Sequence, residues 1–478
     1  MKKVSLLLLT ALLLFTTACS GGGRTSTAAT TTMPPVTTTT AATQTSSTAA
    51  AVEVVPETWT VDDFVPQIAP AYPQDDVYHP ETDSPYQLMS ANGGHKLVAT
   101  ENGYYILVGN FLMFADADTM QTVPVCAKPN CRHNEETDKA RAKECYAYFN
   151  TFNAEEVFYA DGKLYVFHNG RHNPRGDNSI AYGQQLTQLS PDGTQRRIIL
   201  DLELVNPGYC CIHRGRFYVV EQTKNENDIS TAQLWSYSLD NPGETPLCLY
   251  RTEEKAMTIN IVTRLYAYGT RLYLEEAVED VGVNKRGEAC WLNLNLQILD
   301  LTSGVWTTFV RPEGYAVGTN MASGDRLYTF CSSFDRMLAD MEGTPLPEDS
   351  DPTSVWFSSA LDGSGTAMIR QEACAFSVCD DNYLYLTETM TDRCTERMFI
   401  YDHDMEPVDT VEYGGILPSD ASFVICYPYP VQGEKFLIRC QTGIEDVWYW
   451  FDRAEIGSGD IELHEFFRCS WMDYMVTG

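Results

Sequence analysis

Basic residues are scarce in this chain: 33 Lys and Arg stand against 65 Asp and Glu over 478 residues, a formal charge of −32. A surface this acidic repels polyanions, which argues against nucleic acid and anionic wall polymers as partners. Cations, neutral glycans, peptides and basic proteins remain open. Sustained apolar spacing of the helical kind is also missing, outside the short segment 137–146. That disfavours a two-lobed α/β solute receptor, which needs long amphipathic helices between its strands. There is no G-x-S-x-G elbow, H-E-x-x-H pair, P-loop or EF-hand loop. Long apolar runs are absent except at residues 4–15, too short for a permanent membrane span.

That one run follows Lys2 and Lys3 and ends in Thr16-Thr17-Ala18-Cys19-Ser20. The order of positive, apolar and small residues is that of an export signal. Its end resembles a bacterial lipobox, with Thr16 where a larger aliphatic residue is usual. The resemblance implies a lipoprotein signal peptide over 1–18, cleavage before Cys19 and acylation of Cys19 by at least a diacylglycerol, which would hold the chain on the outer face of the cell membrane. Residues 19–51 are nearly all Ser, Thr, Ala, Gly and Pro and read as a disordered tether, reaching on the order of 30 Å. Residues 52–84 read as an irregular lead-in, and 85–478 as the folded domain, expected to be a monomer.

Within that domain a unit recurs: a turn residue, a polar residue, then an apolar–aromatic pair. It appears as Gly162-Lys163-Leu164-Tyr165, Gly215-Arg216-Phe217-Tyr218 and Gly324-Asp325-Arg326-Leu327-Tyr328. Taking the last residue of each pair gives positions 105, 165, 218, 273, 328, 385 and 437, at intervals of 60, 53, 55, 55, 57 and 52. Each copy precedes a second strand-like run, such as Phe399-Ile400-Tyr401-Asp402. A unit of about 50–55 residues holds four short strands, the content of one propeller blade. The expectation is an all-β, seven-bladed β-propeller of four-stranded blades. Because an open sheet edge is a liability, a strand at 466–472 is expected to close the ring by pairing with residues 90–115.

The stretch PVCAKPNCRHNEETDKARAKECYAYF, residues 124–149, gathers Cys126, Cys131, His133 and Cys145 at the end of the first unit. Pro129-Asn130 reads as a turn between the first two cysteines, and 137–144 as a capped helical turn returning Cys145. With its Cys-x-x-Pro-x-Cys-x-His segment, the chain over 85–478 resembles propeller-type lipoproteins of Gram-positive anaerobes, a likeness that implies fold and location but no activity. Three thiolates and an imidazole suit tetrahedral zinc, although the spacing is not that of a standard finger. A disulfide among the cysteines and plain thiols are the alternatives. In each case a structural staple is expected, because no base or open ligand position is evident.

Other candidates carry less. Tyr427, Tyr429, Trp448 and Trp471 fall off the repeat register and are the best aromatic candidates for stacking on a ligand. Cys210-Cys211 reads as strand, with one thiol on each face. Arg175-Gly176-Asp177 and His172 lie in a hydrophilic insertion, and Asp402-His403-Asp404 reads as a polar turn. Two functions follow: a non-catalytic binding or protein-interaction module, or a carbohydrate-active lyase or hydrolase working at one mouth of the propeller channel. Fold alone does not choose between them.

Overall fold

From residue 97 onward, β-branched and aromatic residues alternate between turns rich in Gly, Asp and Asn, and these runs are strands in the computed structural model. The structure describes residues 73–83 and 96–470, apart from loop positions of which 170–183 and 334–353 are the longest stretches. The segment expected to be a signal peptide (1–18), Cys19, the expected tether (19–51), the Arg175-Gly176-Asp177 insertion with His172, and Trp471 lie outside the described residues.

The strands form seven antiparallel sheets in a ring, a seven-bladed β-propeller, each blade built from four strands in chain order. Blade 1 covers 97–124, blade 2 155–202, blade 3 207–256, blade 4 262–308, blade 5 315–370, blade 6 376–412 and blade 7 424–470. Blade 3 adds a two-residue strand, Lys255–Ala256, beside its third. First strands of successive blades lie against one another, so they form the inner wall and the fourth strands the rim. No helix among the described residues is long and apolar enough to cross a membrane.

The repeat position lies near the start of each second strand. Tyr105, Tyr165, Tyr218, Tyr273, Tyr328, Tyr385 and Leu437 are all between 0 and 3 % exposed. Burying a side chain of this size contributes about 1.5–3 kcal/mol, but a buried phenol also needs a partner for its hydroxyl. At three seams the hydroxyl donates to a carbonyl of the next blade, and at a fourth Tyr385 Oη accepts from Arg453 of blade 7 at 3.2 Å. Tyr105 donates to Pro191 O at 3.0 Å, Tyr273 to Leu361 O at 2.9 Å and Tyr328 to His403 O at 2.8 Å. Each carbonyl sits in the turn between the third and fourth strands of the following blade. Cys210 and Cys211 do alternate: the first joins the core shared with blade 2, the second the core shared with blade 4.

Ring closure departs from expectation. His464–Ser470 pairs with Glu445–Asp452 inside blade 7, and blade 1 is complete within 97–124, so among the described residues no strand is exchanged. The physical reason is local. The hairpins of blade 1 close through two-residue turns at 101–102 and 109–110, whereas a strand from the C-terminal end must close a loop of several hundred residues. Packing seals the seam instead: Tyr429, Leu437, Trp448 and Cys469 of blade 7 share one core with Ile106, Leu107 and Leu112 of blade 1.

Candidate functional site

After the fourth strand of blade 1, Thr122–Pro124, the chain loops through 125–149 before blade 2 begins. Asn130 takes φ 61° in the turn after Pro129, and Cys131 N donates to Lys128 O at 3.3 Å. His133 opens a single 3-10 turn with φ 53°, a left-handed conformation that a non-glycine residue adopts at a cost of about 1–3 kcal/mol. A four-residue helix, α1 (Lys139–Ala142), follows, its first turn capped by Asp138 Oδ1 accepting from Ala140 N at 3.0 Å. It delivers Cys145 to the interior, 1 % exposed. As a result, one donor atom each from Cys126, Cys131, His133 and Cys145 lies within 4.8 Å of the others.

The donor set fits a tetrahedral metal. Bonds of about 2.3 Å to sulfur and about 2.0 Å to nitrogen imply ligand–ligand edges of roughly 3.5–3.8 Å. His133 Nδ1 and Cys145 Sγ already stand 3.5 Å apart, and the widest pair needs to close by about 1 Å. No two of the three sulfurs are bonded. Burial pushes the Cys126 thiol up, but the Lys128 and Tyr146 backbone N–H groups and the neighbouring thiols outweigh it and bring its pKa below the ordinary thiol value. Burial raises Cys145 strongly and lowers the His133 imidazole, which keeps that ring neutral and able to ligate. All four positions are filled by protein, the arrangement of a closed structural centre.

The loop that carries these residues also joins two blades. Leu112 N donates to Ala147 O at 2.8 Å and Phe149 N to Asn110 O at 2.7 Å on the blade 1 side. From the rim strand of blade 2, Arg196 donates to Cys145 O, Tyr146 O and Tyr148 O at 3.3, 3.2 and 2.6 Å, with its guanidinium over the Phe149 ring. Gly193, at φ 68°, lies so close that a Cβ there would stand 2.8 Å from Cys126 N. Any other residue at that turn would push the loop away from its ligand geometry.

A second assembly was not legible in the sequence. Residues 73–83 form no strand or helix, yet they cross the turns that join first to second strands in blades 2, 3 and 4. Arg214, at φ 47° in the blade 3 turn and with its side chain fully buried, holds them. Its guanidinium donates to Asp83 Oδ1 and Oδ2 at 2.9 and 3.0 Å, to Asp75 O at 2.8 Å, to Val77 O at 3.0 Å and to Pro73 O. Asp161 N donates to Glu81 O and Arg214 N to Thr82 O, both at 2.8 Å. In blade 4, Asp76 accepts from Thr270 and pairs with Arg271 at 2.7 Å. Gly269, at φ 56°, leaves room for Asp76, whose Cα would stand 2.9 Å from a Cβ there. The one available signal was an arginine with a positive-φ turn role, where blade 2 has Asp161-Gly162.

Next to this strap lies a cavity of about 650 Å³ lined by Tyr78, Tyr268, Arg271, Asp325, Asp362 and Asp381, among others. Burial, reinforced by Asp380, holds the Asp381 carboxyl above its usual range. His213, buried beneath the strap, donates from Nε2 to Gly269 O at 2.7 Å and has Nδ1 3.7 Å from Asp83 Oδ1; burial lowers its pKa.

The described aromatic candidates, Tyr427, Tyr429 and Trp448, fall in blade 7 and are not brought together at an open surface. Tyr429 and Trp448 are 4 % and 1 % exposed, with ring centroids 5.3 Å apart in the closing seam. Tyr427 is partly buried, with the Arg439 guanidinium 5.7 Å from its ring. Asp402-His403-Asp404 forms the blade 6 rim turn: Arg326 reaches His403 O and Asp404 Oδ1, and Ser323 Oγ stands 3.1 Å from His403 Nε2. His168 is a buried strand residue bonded to Thr187 Oγ1 at 2.8 Å.

No family model and no curated protein matches the chain. Solved structures share its general form at low identity. One, reported in a structural and mechanistic analysis of two prolyl endopeptidases, is 11 % identical with a TM-score of 0.47; the match covers 82 % of this chain and 50 % of that one. An oligogalacturonate lyase in complex with manganese is 7 % identical, TM-score 0.43, with 78 % and 92 % covered. The propeller domain of the Trilobed protease from Pyrococcus furiosus is 9 % identical, TM-score 0.40, with 80 % and 96 % covered. The chain spans about half the length of the acylaminoacyl and prolyl peptidases it resembles. At this level the likeness carries no activity across.

Proposed function

We propose that this chain is a lipid-anchored propeller on the outer face of the cell membrane, a non-catalytic binding or protein-interaction module with a structural zinc between blades 1 and 2. The observation that carries the reading is the strap. The chain that follows the expected anchor at Cys19 enters the propeller along 73–83 and is fastened by Arg214 to the face of the first-to-second strand turns. In an antiparallel blade the connections between second and third strands leave from the opposite face. The longest insertions, 170–183 and 334–353, are connections of that kind. The strap on one face and long connections leaving from the other suit display of a binding face away from the membrane. The acidic surface favours a basic protein, a peptide or a neutral glycan as the bound partner.

The test has three parts. Cys19→Ala should release the protein to the medium or leave an uncleaved precursor; normal processing with unchanged detergent partitioning overturns the anchor. The full chain in detergent, probed on glycan, peptidoglycan and peptide arrays, should bind without turnover. For the metal, protein purified without oxidant should carry one zinc per chain, and zinc should leave as pH falls from about 7 to about 5, because thiolates and imidazole take up protons. Absence of zinc together with two missing thiols would replace the zinc reading with a disulfide.

A second reading, a carbohydrate-active lyase or hydrolase, draws on the strapped cavity, where Asp381 and Arg271 face a common space. Turnover of an oligosaccharide that is abolished by Asp381→Asn would favour it over the binding module.

A further inference from the structure

Two strand cysteines are set directly opposite each other in the last blade. Cys426 lies on the innermost strand, Val424–Tyr429, and Cys440 on the next, Lys435–Thr442; they are register partners, flanked by Ile425 opposite Gln441 and Tyr427 opposite Arg439. Their sulfurs are 2.9 Å apart, and the residues are 0 % and 3 % exposed. Even carbon atoms rest at about 3.5–4.0 Å when not bonded, and sulfur is larger. Opposed residues on antiparallel strands have Cα separations of about 4.5 or 5.5 Å, and both values fall within the range a disulfide spans. The surroundings are apolar, with Val424, Phe436, Ile438, Val447 and Phe451 in the same core.

We propose that Cys426 and Cys440 form a structural disulfide that clasps the inner strand of blade 7 to its neighbour. The position gives the bond a purpose. Like the inner strand of every blade, Val424–Tyr429 pairs with one neighbour only, and among the described residues no strand of blade 1 joins blade 7 at the closing seam. A covalent rung between the first two strands keeps that strand in register while the ring is sealed by packing. The reaction is thiol–disulfide exchange with an external disulfide, either a small molecule or an oxidoreductase. Each thiol loses a proton, one Sγ–Sγ bond forms, and the two electrons reduce the external disulfide to two thiols. Because both sulfurs are buried, the oxidant reaches them while the blade is open. Oxidation is therefore fast during refolding and slow in the folded ring.

The full chain tests this without any substitution. Protein is unfolded in urea and refolded with either glutathione disulfide or a reductant, then denatured, labelled with a maleimide and mapped by mass spectrometry. In the oxidised arm the peptides holding Cys426 and Cys440 should be joined, unlabelled and lighter by the two hydrogens lost; in the reduced arm both should carry label. The oxidised protein should also melt at the higher temperature. Full labelling of both residues in both arms overturns the proposal, as does pairing of Cys426 with one of Cys126, Cys131 or Cys145. Equal melting temperatures for the two forms would overturn the clasp. Cys131→Ser, which removes one cysteine of the other cluster, should leave the pairing unchanged.

Discussion

The seam between blades 1 and 2 and the seam between blades 7 and 1 solve the same problem with different means. At the first, a stretch of the joining chain, residues 125–149, folds back between the blades. It brings four metal-ligating side chains together and receives three hydrogen bonds from Arg196. At the second the described residues include no connecting chain and no shared strand, and a common apolar core does the work. The tyrosine contact shows the same split. Tyr105 bonds the rim turn of blade 2, but the corresponding residue of blade 7 is Leu437, which has no hydroxyl. Two residues earlier, Lys435 supplies the missing donor, reaching Ala117 O in the rim turn of blade 1 at 2.9 Å. Seams between sequence neighbours can use the chain that joins them. Among the described residues, the closing seam relies on side chains, packed together or reaching the backbone of the facing blade.

The largest effect is expected at the closing seam. Trp448→Ala should cost about 3–5 kcal/mol, as for other buried aromatic truncations, read as a lower urea midpoint. Limited proteolysis should cut blades 7 and 1 first; cutting that begins at blade 2 would contradict the comparison. Next comes the strap, which spans seams on the other side of the ring. Arg214→Ala leaves Asp83 buried without its cation, at about 3–5 kcal/mol of local stability. Residues 73–83 should become open to protease and hydrogen exchange while the rest of the ring unfolds close to the wild-type midpoint.

The strap should also loosen in acid. His213 is buried with its pKa lowered, so above an unfolded value of about 6.5 it is neutral in both states and costs nothing. As pH falls through about 6.5 the unfolded form takes a proton that the folded form resists, and stability is lost until the lower folded pKa is passed. Protection at 73–83, taken relative to the intrinsic exchange rate at each pH, should therefore fall as pH drops from about 7 to about 5, and His213→Asn should flatten that fall. A smaller loss, about 1.5–3 kcal/mol, is expected for Lys435→Met, which removes a charged donor from the closing seam. The smallest belongs to Tyr328→Phe, about 0.5–1.5 kcal/mol for one neutral hydrogen bond at a seam between sequence neighbours. If Tyr328→Phe proves costlier than Lys435→Met, the lysine does not take the tyrosine's part.

Much of the architecture was legible because it is written locally. The spacing of Tyr105, Tyr165, Tyr218, Tyr273, Tyr328 and Tyr385, each a few residues after a turn, reports a strand period and a hairpin, and neither depends on distant parts of the chain. The close spacing of Cys126, Cys131, His133 and Cys145 likewise marked a site, since at most 19 positions separate its members. The aromatic residues of blade 7 were harder. Tyr429 and Trp448 have the composition of a binding surface, and only the neighbouring blade places them in a core.

Sequence by itself determined the blade, its repeat number and the residues able to hold a metal, because turn chemistry, side-chain alternation and ligand type act over a few residues. Only the tertiary structure decided how the ring closes, where residues 73–83 dock, and that Cys426 faces Cys440. The Arg214–Asp83 pair joins positions 131 residues apart, and the closing seam joins blades at opposite ends of the domain. Contacts of that range depend on how seven locally similar units stack, and the energy of stacking is spread over apolar surfaces that look alike in every repeat.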